Sequence, residues 1–390
     1  MKRIVTAFAL CLAALCLSVA AMAQDEIRLG VLSDLTGPTG DVGVPYAEGI
    51  KDAAAYLNSQ GGVAGKKIAL IQVDYAYNAQ QALSAYKKFI AQDKIVALLG
   101  WGTQDTEALT KFVGKDEIPT ISASYSAHLT DPKSAPYNFF IAADYSTQMR
   151  AALKYFKDRW KEGRAPKVAF VYPDAPYGLA PIPAGKAYAE ELGYEVVGEE
   201  NVGLKAMDAT AELLRLQKLE PDYTWIGGTT QSTAVIMKDA QKLGMKTVFF
   251  TNIWGSDENL VKLAGNAAEG GYSLQAAVIY GQDVPGMKII EKQTGGKPQM
   301  THYIRGFASM LVMAEGIKKA AAAGEVTGPA IKTALETLRD YDPMGLTPAI
   351  SFFPDDHRPN MAVFLYKIEG GKLTPAGTET LERKAEWLGK

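Results

Sequence analysis

Neutral polar and aromatic residues follow several apolar runs of strand length, and their side chains could hold a small ligand. One group is Trp101-Gly102-Thr103, directly after Gly100 and at the predicted start of a helix. Free backbone amides at a helix start, assisted by the Thr103 hydroxyl, can bind a carboxylate. The chemistry that this group predicts is reversible recognition of an anion by neutral donors.

Other candidate ligand-binding residues occupy similar positions further along the chain. They are Ser122, Ser124, Tyr125, Tyr177, Thr229, Gln231, Asn252 and Trp254. The serines could instead cap the turn 127–129, and residues 229–231 could cap their own helix. For Trp101, burial in the core competes with stacking of its ring on a ligand. The glycine-rich loop 35–43 is a further candidate, expected to shape the rim of a cleft.

Catalysis and cofactor binding have little support. His128, His302 and His357 are the chain's three histidines; they lie far apart and in no metal-ligand spacing. No G-x-S-x-G elbow, P-loop or H-E-x-x-H motif occurs. Gly100 and Gly102 resemble part of a dinucleotide fingerprint, but Asp105 stands where the third glycine is required. We therefore predict a binding protein that is not an enzyme and uses no cofactor and no metal.

Residues 1–23 have the pattern of an export signal. Lys2 and Arg3 are followed by the almost wholly apolar stretch 4–20 and by Ala21-Met22-Ala23, a small–x–small cleavage site. The mature protein is expected to begin near Gln24.

Composition agrees with an exported, soluble protein. The only cysteines, Cys11 and Cys16, lie in the predicted signal, so the mature chain has no thiol for disulfides, zinc or nucleophilic catalysis. Apolar residues make up 47% of the chain, enough for a core in two domains. The formal net charge is −2 and no basic cluster occurs, so nucleic acid is not an expected partner.

Apolar runs alternate with segments of helical period, which is typical of parallel sheets covered by helices. Predicted strands are 27–32, 67–73, 95–99 and 119–122 in one sheet, then 167–172, 194–201, 223–227, 247–251 and 271–277 in another. The predicted division is an α/β protein with lobe 1 at 24–144 plus 276–345 and lobe 2 at 145–275 plus 346–390. Segments 349–353 and 361–368 are expected to pair as a hairpin on lobe 2.

Sequence stretches from one end of this chain to the other carry a family resemblance. They include IRLGVLSDLTGPTGDVG, LNSQGGVAGKKIALIQVD, IVALLGWGTQDTEAL, IPTISASYSAHLTD, VAFVYPDAPYG, PDYTWIGGTTQSTAVIMKDAQKLG and YIRGFASMLVMAEGIKKA. In this order and spacing the chain resembles the periplasmic substrate-binding proteins of branched-chain amino-acid-type ABC transporters, the leucine/isoleucine/valine-binding family with the type I periplasmic binding fold.

The resemblance implies two Rossmann-like lobes with mainly parallel sheets, joined by three crossovers and closing on a ligand. It also implies a monomer in the periplasm that delivers its ligand to an ABC transporter permease. In this family, the position of Ser122 and Ser124 lends donors to a ligand carboxylate, and Tyr177 matches a tyrosine that closes over the ligand. The same fold also serves in ligand-sensing receptors, which stay an alternative.

One departure from the family leaves the ligand open. Members that hold α-amino acids usually carry an acid in the loop after the strand 247–251, where this chain has Asn252, Ile253 and Trp254. An uncompensated ammonium in a closed site would cost several kcal/mol. The anion could come from Asp41, Asp174 or Asp257; otherwise an aromatic acid or amide competes with a branched-chain or related amino acid.

Overall fold

The computed structural model describes residues 26–390, so the predicted signal 1–23 lies outside the described residues. The strands are Ile27–Ser33 (β1), Ile68–Asp74 (β2), Ala97–Leu99 (β3), Thr120–Ile121 (β4), Asn138–Phe139 (β5), Lys167–Tyr172 (β6), Glu195–Asn201 (β7), Tyr223–Ile226 (β8), Val248–Thr251 (β9), Tyr272–Gln275 (β10), Ala362–Glu369 (β11) and Lys372–Thr380 (β12).

The α-helices are Gly40–Ser59 (α1), Ala79–Lys88 (α2), Thr103–Lys115 (α3), Tyr145–Arg159 (α4), Pro176–Leu179 (α5), Ile182–Glu191 (α6), Thr210–Gln217 (α7), Thr230–Lys242 (α8), Glu258–Ala264 (α9), Pro285–Gln293 (α10), Thr301–Ala322 (α11) and Gly328–Glu336 (α12). Shorter 3-10 or π-helical turns lie at Phe89–Asp93, Ala127–Thr130, Gly265–Ala268 and Ala385–Trp387.

The first sheet is parallel throughout, with strand order β2-β1-β3-β4-β5. All residues of β1 except Arg28 are buried, which is typical of a strand covered by helices on both faces. The sequence does not predict the short edge strand β5, because only two of its residues pair with β4 before the chain leaves the sheet.

The second sheet has the order β12-β11-β10-β9-β8-β6-β7. Strands β10, β9, β8, β6 and β7 run parallel, whereas β11 pairs antiparallel with both β10 and β12. The predicted hairpin between 349–353 and 361–368 is wrong. The partner of β11 is β12, because Gly370 and Gly371 both adopt positive φ and form the two-residue turn that favours a hairpin.

The chain passes between the two sheets three times: after β5, after β10 and before β11. Between the second and third passage, α11 packs against α1 and α12 packs against α11, on the side of the first sheet. This confirms the predicted α/β fold class, while the lobe boundaries stay a prediction. Within 26–390, no helix has both the length and the apolar character needed to cross a bilayer.

Polar loops and helix starts meet at the carboxyl ends of the parallel strands. Helix α3 begins four residues after β3 ends, and α8 begins four residues after β8 ends. In open α/β sheets this edge is where ligands bind. A ligand-binding site is therefore expected in the space between these two edges.

Candidate functional site

A small cavity of about 270 Å³ lies between the carboxyl ends of the two sheets. Its lining consists of neutral polar and aromatic residues: Thr39, Val42, Tyr77, Trp101, Gly102, Thr103, Ala123, Tyr145, Tyr177, Thr229 and Trp254. Six of these belong to the predicted ligand-binding residues, namely Trp101, Gly102, Thr103, Tyr177, Thr229 and Trp254.

One wall of the cavity is the start of α3. Gly102 is the capping residue of this helix, and its amide donates to the Tyr75 hydroxyl at 3.2 Å. The hydroxyl of Thr103 lies 2.7 Å from that of Ser124. The positive end of a helix and paired hydroxyls suit a carboxylate placed at this wall.

Trp254 forms another wall of the cavity and is held by several neighbours. Its ring stacks on that of Tyr125 at 5.8 Å and on that of His302 at 5.4 Å. The Arg305 guanidinium lies 3.9 Å from the ring centroid, and the indole Nε1 donates to the Tyr145 hydroxyl at 2.9 Å. These contacts leave the indole no freedom to turn, so it is a rigid surface for a ligand.

Trp101 links the two walls. Its ring meets that of Trp254 edge-on at 4.9 Å and that of Tyr46 at 5.2 Å. Its Nε1 donates to the Thr39 hydroxyl at 2.9 Å. Trp101 is 5% exposed, so it is buried and lines the cavity at the same time.

Asn252 is outside the lining but contacts residues that belong to it. Its Nδ2 donates to the Tyr177 hydroxyl at 2.6 Å, and that hydroxyl donates to the Gly228 carbonyl at 2.8 Å. Its Oδ1 accepts the amides of Trp254 at 2.9 Å and Gly255 at 2.8 Å. The amide side chain thus positions two residues of the lining.

The other predicted residues lie behind or beside the lining. Ser122 donates to the Ser124 carbonyl, Ser124 contacts Thr103, and Tyr125 stacks on Trp254. Gln231 is exposed on α8. For these four residues and Asn252, direct ligand contact stays a prediction.

Sequence reasoning missed five residues of the lining: Thr39, Val42, Tyr77, Ala123 and Tyr145. Thr39 lies inside the loop 35–43 and Ala123 between two candidate serines, so both lie in stretches that the sequence had marked. Tyr77 had no such signal; it lines the cavity from a segment whose backbone is left-handed at Ala76 (φ 49°) and at Tyr77 itself (φ 57°).

Acids near the cleft have structural partners. Asp257 caps α9, accepting the amides of Asn259 at 2.7 Å and Leu260 at 3.1 Å, and lies 3.0 Å from His302. Burial, and then the Arg305 charge, lower the pKa of His302 to about 4, so this imidazole is neutral at pH 7. Asp174 is exposed.

Asp41 bridges the two sides of the cleft. It lies in the first turn of α1 and accepts the amide of Gln231, in the first turn of α8, at 3.0 Å. Burial raises the pKa of Asp41 to about 6, although the hydrogen bond from Gln231 opposes the shift. A charged carboxylate at a helix start is favourable, but burial of the Asp41 side chain disfavours its charged form.

We expect Asp41→Asn to change how thermal stability depends on pH. The pKa of Asp41 in the folded state lies above the ordinary value of 3.8. The contribution of this group to the free energy of unfolding is therefore greatest below about pH 4 and is lost as pH rises through about 6. The uncharged variant keeps that stability. Its melting temperature relative to the wild type should therefore rise between pH 4 and pH 7.5. Equal differences at both pH values would contradict this, and the exposed Asp174→Asn is the matched control.

A family model described as periplasmic binding protein matches residues 26–372. The Leu/Ile/Val-binding protein homolog 2 of Brucella abortus is 25% identical over 246 residues, which is 63% of this chain and 65% of that protein. The match thus spans just under two thirds of that relative's length.

Two solved structures are similar over nearly their whole length. A substrate-binding protein of an ABC transporter from Aeropyrum pernix has a TM-score of 0.87 and 32% identity, covering 93% of this chain and 98% of that one. A branched-chain amino acid ABC transporter protein from Thermus thermophilus with bound valine also has a TM-score of 0.87. Its identity is 25%, and the match covers 94% of this chain and 98% of that one. The chain belongs to the periplasmic binding protein family, a family of ligand carriers and not of enzymes.

Proposed function

We propose that this protein captures a small carboxylate-bearing ligand between its two lobes and delivers it to the permease of an ABC transporter. The main observation in favour of this proposal is the cavity. Thr103, at the start of α3, lines one side of it, and Tyr177 and Trp254 line the other. The relatives bind leucine, isoleucine or valine by name, and the Thermus structure holds valine. A branched-chain or related amino acid is therefore the first ligand class to test.

The proposed mechanism is closure of two lobes around the ligand. A ligand that touches both walls stabilises the closed form and shifts the population towards it. Direct contacts across the cleft, Asp41 with Gln231 and Trp101 with Trp254, would form only as the walls meet. The closed form then presents both lobes together to the permease.

Location and assembly are parts of the same proposal. Cleavage of the signal 1–23 would release a monomer into the periplasm, where a carrier meets its permease. N-terminal sequencing of the exported protein and its mass by light scattering test these two points.

Closure and binding are tested together. Thermal-shift screening of the mature protein against amino acids, aromatic acids and amides finds ligands, because binding to the folded state alone raises the melting temperature. Small-angle scattering with a stabilising ligand should show a smaller radius of gyration. No compaction with any bound ligand would overturn closure.

Thr103→Val removes one hydroxyl from the carboxylate wall. Hydrogen bonds to charged groups contribute about 1.5–3 kcal/mol, so affinity should fall by about 10- to 100-fold, and loss of the hydrogen bond to Ser124 should lower the melting temperature as well. Isothermal calorimetry measures the loss. Thr110→Val is the control, since Thr110 lies further along the same helix and bonds only to the Thr106 carbonyl at 2.8 Å. Equal affinities for the two variants would show that the Thr103 hydroxyl does not bind the ligand.

A further inference from the structure

The charge of the cavity walls narrows the ligand class. We infer that the ligand is a small carboxylate without an ammonium group, such as a short aliphatic or aromatic acid. The inference rests on the proposed function, because it concerns the ligand of the same cavity.

The lining offers an anion hydroxyl donors and a helix start, whereas a cation would meet ring faces and hydroxyl oxygens but no carboxylate. It contributes hydroxyls, ring faces and the start of α3, and among the described residues no aspartate or glutamate side chain belongs to it. A ligand carboxylate would contact the start of α3 and the hydroxyl of Thr103. An ammonium group enclosed in the same space would be a buried charge without a counter-ion.

The nearby carboxylates make hydrogen bonds within the protein, although Oδ2 of Asp105 is buried without one among the described residues. Asp34 holds its own loop, accepting the Gly37 amide at 2.6 Å and both the amide and hydroxyl of Thr39 at 2.8 and 2.7 Å. Asp105 accepts the Tyr75 hydroxyl at 2.6 Å and faces a separate cavity lined by apolar residues such as Leu98 and Leu109. Asp257 caps α9 beside His302.

Asp41, like Asp105, has one carboxylate oxygen that accepts a hydrogen bond and one that does not. One of its oxygens accepts the Gln231 amide, and the other is buried without a hydrogen-bond partner among the described residues. Its side chain is not part of the lining, and its contact with Gln231 bridges the two lobes. We therefore assign Asp41 to lobe contact and not to ligand charge.

A fixed positive charge lies directly behind Trp254. Arg305 is fully buried, and its Nε and Nη1 have no hydrogen-bond partner among the described residues. Its Nη2 donates to the Ile253 carbonyl at 2.8 Å and contacts His302. Asp257 lies 3.0 Å from the His302 imidazole that Arg305 contacts. A ligand cation would be placed one indole ring away from this guanidinium, where like charges repel.

The size of the cavity points to a short ligand. The figure of about 270 Å³ counts every gap between the side chains and any open solvent, so the room left for a ligand is smaller than this. Trp254 fills the space beyond the carboxylate wall. A ligand with few non-hydrogen atoms fits this space better than a long chain.

Matched pairs of ligands test the inference directly. Each pair shares a skeleton and differs in the ammonium group: valine and 3-methylbutanoate, leucine and 4-methylpentanoate, phenylalanine and 3-phenylpropanoate. The mature protein is unfolded and refolded to remove carried ligand, and affinities are measured by calorimetry at pH 7.5. In at least one pair the deaminated acid should bind at least 30-fold more tightly than the amino acid.

The outcomes separate this inference from the proposed function. An amino acid that binds as tightly as its deaminated partner, or more tightly, overturns the inference and leaves the carrier role intact. If neither series binds, but an uncharged compound compacts the protein in scattering, the carboxylate assignment is overturned. If no compound of the wider screen binds at all, the proposed function fails as well.

Discussion

Replacing Trp254 by alanine is expected to lower ligand affinity by about 30-fold or more. The indole is one wall of the cavity and is held by Tyr125, His302, Arg305 and Tyr145. Truncating a buried aromatic anchor of a binding site costs about 2–4 kcal/mol, and each tenfold change in affinity corresponds to about 1.4 kcal/mol. The truncation also opens the buried guanidinium of Arg305 to water in the cleft.

Calorimetry with the ligand found in the screen measures the loss, and a melting curve checks that the variant is folded. Trp254→Phe should lose less affinity, because it keeps a ring but not the hydrogen bond to Tyr145. Trp160→Ala is the control: Trp160 follows α4, and its Nε1 donates to the Arg164 carbonyl. Affinity of Trp254→Ala within threefold of the wild type would show that Trp254 is only structural.

Replacing Gly306 by leucine is expected to destabilise the fold by about 3 kcal/mol or more. At this position α11 crosses α1 so closely that a Cβ atom would lie 2.0 Å from the Tyr46 carbonyl oxygen, and one at Gly49 would lie 2.0 Å from that of Tyr303. Both obstacles are backbone atoms, which cannot rotate away. The two helices must separate, and overpacking of this kind typically costs about 1–3 kcal/mol and occasionally more.

Urea unfolding of Gly306→Leu should show a lower midpoint than the wild type. The matched control is Gly163→Leu, because no atom lies within 4 Å of a Cβ at Gly163. Ligand affinity should also fall in Gly306→Leu, since Tyr46 packs against both Trp101 and Trp254. Equal midpoints for the two leucine variants would mean that the helices can separate at little cost.

The fold was predictable from local patterns. Buried parallel strands are continuous apolar runs, and the observed strands β1, β6 and β9 lie within one residue of the predictions. The hairpin β11–β12 escaped prediction because most of β12 is polar and exposed. Its real signal was Gly370-Gly371, two residues that accept positive φ between strands.

The candidate site was predictable as a set of loops, but not side chain by side chain. Parallel strands end at one edge of a sheet, so residues after those strands meet there whatever their identity. Asn252 and Trp254 lie two residues apart in one loop, yet Trp254 lines the cavity while Asn252 holds its neighbours from behind. No periodicity in an irregular loop distinguishes these two roles.

By itself, the sequence determined the α/β architecture, the family and the loops that approach a ligand, because each depends on local apolar runs and turn residues. Only the tertiary structure decided which charges surround the cavity. Arg305 and His302 lie in the almost wholly buried helix α11, far in the chain from Trp254, and packing places both directly behind that ring. Electrostatic fit depends on distances between remote residues, and those distances exist only after the chain has folded.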